Sequence, residues 1–130
     1  MTAVLIDTNV YCGAMRGDSD AVALWRTAAR ILMSPIVVGE LQSGFRGGGL
    51  ARRNADQLRR FLAQERVEAL SVTSRTAEFY ALVLHQLRED GAPIPTNDIW
   101  IAASALEHGA GLATRDKHFQ KVKGLLLPAW

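Results

Sequence analysis

Ala3-Val4-Leu5-Ile6-Asp7 is the stretch that decides the fold: four apolar residues with no polar interruption, ended by an acid. A strand with one solvated face alternates polar and apolar residues. A short unbroken apolar run is what a strand covered on both faces requires, and such strands lie in parallel sheets. The acid then marks the carboxyl end of the strand, where open α/β folds bind their ligands. Residues 3–6 are therefore expected to form the first and central strand, with Asp7 at the edge of a cleft.

Outward from this run, helical and strand-like segments alternate. Residues 9–15 suit a helical turn. Gly17-Asp18-Ser19-Asp20 supplies a break and a cap for a helix over 21–29, where Val22, Trp25 and Ala29 recur at helical spacing. Ile31-Leu32-Met33 reads as a second strand. Ser34-Pro35 then starts a helix with proline in its first turn, running to about Phe45 and stopped by Gly44, Gly47, Gly48 and Gly49. Residues 50–64 make a helix with Leu58, Phe61 and Leu62 on one side and arginines largely on the other. A weak strand signal covers 67–72. Thr73-Ser74 caps a long helix to about Asp90, with Ala77, Ala81, Leu84 and Leu87 among its apolar positions, and Gly91-Ala92-Pro93 ends it. Thr96 and Asn97 open another, in which Ile99, Ala102, Ala103 and Leu106 face inward until His108-Gly109 closes it. Residues 111–114 read as a strand, 116–122 as a short helix and 125–127 as an edge strand. The alternation implies an α/β fold with a central, mainly parallel sheet and helices on both faces.

A chain of 130 residues suits one domain and can bury a sizeable core. The formal net charge of +2 permits a polyanionic partner without requiring one. The excess is local, because Arg46, Arg52, Arg53, Arg59, Arg60 and Arg66 face only Asp56 and Glu65 over that span. A solvated helix face supported by the pairs Arg52–Asp56 and Asp56–Arg60 explains the cluster as well as a binding surface does. Cys12 is the single cysteine, so no intrachain disulfide forms and a reducing cytoplasm is expected. The start of the chain lacks the basic leader of a signal peptide, and no apolar run is long enough for a bilayer.

Four acids stand where chemistry could use them, and each also has a plain structural explanation. Asp7 and Asp116 each follow a strand and can cap the helix that comes next. Asp98 lies in the first turn of its helix, where a carboxylate is favoured by the helix dipole. Glu40 sits among Ile36, Val37 and Leu41, beside an apolar stripe where burial without a cation is costly, although it also suits an exposed position. Together the four can meet in one cleft, and four carboxylates stay ionised together only with positive charge among them. Oxygen ligands point to Mg²⁺ or Mn²⁺ rather than zinc. His85, His108 and His118 show no metal-binding spacing. His118 is best explained as exposed helix filler, although it lies two residues beyond Asp116. Trp25, Trp100 and Phe119 suit the core, and no phosphate-cradling GxxxxGK[ST] is present.

Four short segments then become recognisable: Ile6-Asp7-Thr8-Asn9, Gly39-Glu40-Leu41, Asn97-Asp98-Ile99 with Ile101-Ala102-Ala103, and Ala113-Thr114-Arg115-Asp116 before His118-Phe119. In order, spacing and total length they resemble the PIN domains, specifically the VapC toxins of bacterial toxin–antitoxin pairs. The resemblance covers essentially the whole chain and fills all four acidic positions. It implies a single PIN domain over residues 1–130 with a three-layer fold. It further implies a Mg²⁺-dependent endoribonuclease, with Mn²⁺ as an alternative ion, that cleaves structured RNA such as tRNA or ribosomal RNA. A homodimer silenced by a cognate VapB-type antitoxin is the expected assembly. By position, Asp7 and Asp98 become the leading metal ligands, Glu40 and Asp116 complete the acidic cluster, and Thr114 and Asn9 orient carboxylates or water. The basic helix over 50–64 and Arg115 are expected to contact the RNA backbone, since an acidic cleft repels phosphate until metal is present. Two rivals remain at this point. A non-catalytic PIN-like module would bind RNA or protein. A haloacid-dehalogenase-like phosphatase also places Asp after its first strand, but in a D-x-D pattern whose third position is here Asn9.

Overall fold

In the computed structural model, which describes residues 3–130, β1 (Ala3–Ile6) runs through the middle of the core, with Val4, Leu5 and Ile6 each at 0% exposure. Met1 and Thr2, on which the expectation of no signal peptide partly rests, lie outside the described residues. The sheet has four strands in the order β3-β2-β1-β4, with β2 at Arg30–Met33, β3 at Val67–Ala69 and β4 at Gly111–Ala113. All three pairings are parallel: Val4 stands opposite Ile31 on one side and Gly111 on the other, and Ile31 opposite Val67. The expected α/β fold with a central parallel sheet and a central first strand is what forms. Because the chain steps from β1 outward to β3 and then returns to place β4 on the other side of β1, the order reverses at β1. A crevice opens at such a reversal, outside the carboxyl ends of the strands.

Six α-helices of the described residues surround the sheet, and four of them start at a side-chain cap. Asp7 caps α1 (Thr8–Met15), and Asp18 caps α2 (Ser19–Thr27) by accepting from the backbone of Asp20 and Ala21. Ser34 accepts from Ile36 N–H to begin α3 (Pro35–Arg46) with proline in the first turn. α4 (Ala51–Leu62) buries Leu58 and Phe61 and leaves Arg52, Arg53, Arg59 and Arg60 exposed. Phe61 packs with Tyr11 and Trp25 in an aromatic group whose ring centroids are 4.5–5.8 Å apart. Thr73 and Thr76 form a reciprocal capping box at the start of α5 (Ser74–Glu89), and α6 (Thr96–Glu107) packs along α5. No helix of the described residues is long and apolar enough to cross a membrane.

Several expectations need correction. α3 continues through Gly44 to Arg46, because Gly44 lies in the helix and Gly47 is its cap. The buried face of α5 is Thr76, Val83 and Leu87, while Ala77 and Ala81 are exposed. Alanine is apolar enough to suggest a core face and small enough to cost little in water, so it marks neither side. β3 ends at Ala69 rather than Val72. Asp56 pairs with Arg59 at 2.6 Å, one residue earlier than the i,i+4 partner expected. Residues 125–127 add no strand. Leu112 N–H donates to Leu126 O at 2.9 Å, but Pro128 then lies against Gly111 so closely that a Cβ there would stand 2.9 Å from Pro128 Cδ. A proline has no N–H for the next rung, so pairing stops after one bond.

Candidate metal centre

Asp7 is placed by the strand that precedes it. Its N–H donates to Ala113 O at 3.0 Å, extending the β1–β4 ladder by one residue and fixing the side chain at the reversal point. Oδ1 accepts from Thr8 N–H at 2.8 Å and Oδ2 from the Thr114 hydroxyl at 2.6 Å. The residue is only 6% exposed, and burial pushes its carboxyl above the usual range. The two hydrogen bonds oppose that shift, while the neighbouring charges of Asp98 and Glu40 add to it. Capping and participation in the acidic cluster are thus combined in one carboxylate rather than being alternatives.

Glu40 reaches the same place from α3. Its Oε1 accepts from the Thr8 hydroxyl at 2.9 Å and its Oε2 from Asn97 Nδ2 at 3.3 Å, which ties α3 to the starts of α1 and α6. An open groove of about 460 Å³, lined by Pro35, Ile36, Gly39, Glu40, Ser43 and Asn97, leads to it. Asp98, in the first turn of α6, is 9% exposed, and burial raises its carboxyl too. A hydrogen bond from His118 holds the shift back, while the charges of Asp116 and Glu40 increase it.

Asp116 follows β4 and caps a 3-10 helix (Lys117–Lys121), accepting from His118 N–H at 2.9 Å. The Thr114 hydroxyl that donates to Asp7 also accepts from Asp116 N–H at 2.9 Å, so one side chain sets the separation of two acids. Asn9 does something different from what was expected. Its Oδ1 accepts from Arg115 N–H at 3.3 Å, holding the loop backbone and not a carboxylate. Arg115, expected at RNA, is engaged within the chain: its guanidinium pairs with Asp18 at 2.7 Å and lies 4.8 Å from the Trp130 ring centroid.

Three residues at the centre were not among the site residues expected from the sequence, although His118 was noted for its place two residues beyond Asp116. Thr8 and Asn97 bridge to Glu40, each standing next to an acid in the chain. His118, expected to be helix filler, places Nδ1 3.0 Å from both Asp98 Oδ2 and Asp116 Oδ1. The signal for it was its position two residues after a capping acid, where a tight 3-10 turn folds the side chain back over the cap.

The donor set suits a divalent ion. Four carboxylates share the cleft, and among the described residues no lysine or arginine comes within 4.0 Å of Asp7, Glu40, Asp98 or Asp116. Buried carboxylates without a cation are disfavoured, and hard oxygen donors match magnesium or manganese.

Comparison with known proteins places the chain by family and fold. The model of the PIN domain family matches residues 4–125. "Ribonuclease VapC4" of Mycobacterium tuberculosis is 32% identical over 117 residues, covering 88% of this chain and 87% of that one. The VapBC2 structure from Rickettsia felis, bound to a DNA fragment from its promoter, superposes with a TM-score of 0.85 at 26% identity and covers 98% of each chain. VapBC-1 from nontypeable Haemophilus influenzae gives 0.83 at 28% identity, covering 100% of this chain and 98% of that one. Matched along nearly its full length by the family model and by a relative of this similarity, the chain belongs to the PIN-domain family and groups with its VapC members.

Proposed function

We propose that the protein is a metal-dependent endoribonuclease of the VapC type, acting in the cytoplasm as a homodimer on structured RNA such as tRNA or ribosomal RNA. The observation that carries this reading is the meeting of Asp7, Glu40, Asp98 and Asp116 in one cleft, where among the described residues only the His118 ring, and no lysine or arginine, stands within ion-pair distance of them. Asp7 and Asp98 are the principal ligands, being the most buried, and Glu40 and Asp116 complete the set. When bound there, Mg²⁺ or Mn²⁺ supplies a water of lowered pKa and offsets charge on the leaving oxygen. The chain's own residues do the positioning. Thr114 holds the Asp7 carboxylate through Oδ2 and the Asp116 backbone through its N–H, and Thr8 with Asn97 fixes both oxygens of Glu40. The exposed arginines of α4 provide sequence-independent attraction for RNA phosphates.

A VapB-type antitoxin is the proposed regulator, supported by the likeness to chains of VapBC complexes. A non-catalytic module gives no reason to bury two acids beside two more with no lysine or arginine among the described residues within reach, and Asn9, bound to the Arg115 backbone, is no second aspartate for phosphatase chemistry. The test is cleavage of total RNA by the purified protein in Mg²⁺ and in EDTA, beside Asp7→Asn and Asp98→Asn. Cleavage is expected only for the unsubstituted protein with metal. Activity that persists in EDTA, or survives both substitutions, overturns the proposal.

A further inference from the structure

His118 does not belong to the four-acid pattern, yet its ring lies against two of the acids, Asp98 and Asp116. We propose that His118 Nδ1 is itself a ligand of the divalent ion, making the centre a mixed oxygen–nitrogen site, an inference that rests on the metal reading given above. Nδ1 is 3.0 Å from Asp98 Oδ2 and 3.0 Å from Asp116 Oδ1, and ligand atoms of these three residues all lie within 4.8 Å of one another. Neighbouring ligands of an octahedral ion, each about 2.1 Å from it, are about 3.0 Å apart. The spacing of the imidazole nitrogen from both carboxylate oxygens is therefore already that of ligands sharing one ion.

The ring is aimed there by its surroundings. His118 N–H donates to Asp116 Oδ1 at 2.9 Å, which pins the first turn of the 3-10 helix, and the next residue, Phe119, is fully buried and anchors the far side. An imidazole nitrogen can face two carboxylate oxygens only across a hydrogen or a cation, and a divalent ion at that point satisfies all three atoms. The side chain is 45% exposed, so the site opens to solvent. Neither other histidine competes for the role: His85 pairs with Glu89 on α5, and His108 lies beside Glu107 at the end of α6. A borderline nitrogen donor shifts preference toward Mn²⁺ over Mg²⁺ compared with a centre built from carboxylates alone.

Mn²⁺ alone is the probe. The metal-free full-length protein is titrated with Mn²⁺, free ion is read from its six-line electron paramagnetic resonance signal, and the bound ion is examined by electron spin-echo envelope modulation. The unsubstituted protein is expected to show ¹⁴N modulation from a single imidazole, replaced by the ¹⁵N pattern when the protein is grown on ¹⁵N-histidine. His118→Gln is expected to keep bound Mn²⁺ on the carboxylates, to lose the nitrogen modulation and to bind about tenfold more weakly. Bound Mn²⁺ without nitrogen modulation in the unsubstituted protein overturns ligation by His118 and leaves the acidic centre standing. Failure of Mn²⁺ to bind at all overturns both this inference and the metal reading beneath it.

Discussion

Replacing Thr114 by valine removes one hydroxyl and almost nothing else, yet that oxygen serves two acids. It donates to Asp7 Oδ2 at 2.6 Å and accepts from Asp116 N–H at 2.9 Å. A hydrogen bond to an ionised carboxylate contributes about 1.5–3 kcal/mol net, and a neutral one about 0.5–1.5 kcal/mol. Asp116 is about one-third exposed, so water substitutes for part of the second bond. The metal-free variant should therefore lose about 2–4 kcal/mol of stability at pH 7. The loss should depend on pH, with a sign that follows from the site. The Thr114 bond lowers the Asp7 pKa against the upward push of burial, so removing it raises the folded-state pKa further. A carboxyl whose pKa is raised by folding contributes its stability fully below the unfolded value, about 3.9, and loses it as pH rises through the folded value. Thr114→Val should thus be penalised more at pH 7 than at pH 4. Urea denaturation in EDTA at the two pH values measures both quantities, and Thr114→Ser, which keeps the hydroxyl, should recover most of the loss. An equal penalty at both pH values, or a serine variant no better than valine, would refute the role given to this bond.

The same linkage makes Asp7→Asn stabilising without metal at neutral pH, read as a higher melting temperature in EDTA, because it removes a charge the fold disfavours. Mg²⁺ at a hundred times its dissociation constant should add about 2.7 kcal/mol to the unsubstituted protein and nothing to the Asp7→Asn, Asp98→Asn double variant. If RNA phosphates lie on α4, Arg52→Ala with Arg53→Ala should reduce the slope of log affinity against log salt by about 0.7 per lost contact on single-stranded RNA. Arg115→Ala should leave that slope unchanged, since its charge is paired with Asp18, and a fall in slope would return Arg115 to the RNA surface. Gly111→Ala pushes a methyl against the Pro128 ring, for about 1–3 kcal/mol of destabilisation by chemical denaturation.

Those elements that announce themselves locally were legible in the chain. A four-residue unbroken apolar run ended by an acid is too short for a buried helix and suits a strand covered on both faces, and Val4-Leu5-Ile6 is fully buried. Ser34-Pro35, Asp18 and Thr73 start helices because a side-chain oxygen must accept from the first free N–H groups, and each does. What could not be read was decided by neighbours distant in sequence. Residues 125–127 have the composition of a strand, and only the approach of Pro128 to Gly111 stops their pairing. Arg115 looked free because its partners, Asp18 and Trp130, lie far along the chain in opposite directions.

The centre divides along the same line. That the four acids could meet followed from strand ends and from a sheet whose order reverses at β1, since Asp7 and Asp116 leave adjacent parallel strands in the same direction. How they are tied together did not follow, because the contacts that link one acid's element to another's join residues far apart in the chain: Thr8 of α1 to Glu40 of α3, Asn97 of α6 to the same carboxylate, Thr114 after β4 to Asp7 after β1. His118 shows the difference most clearly. In a regular α-helix, residue 118 would turn well away from a cap at 116, which is why the sequence suggested filler. The 3-10 turn instead brings its Nδ1 to Asp116, and α6 supplies Asp98 from the other side. Its place at the centre therefore comes from turn type and helix packing together, and neither is written in the residues next to it in the chain.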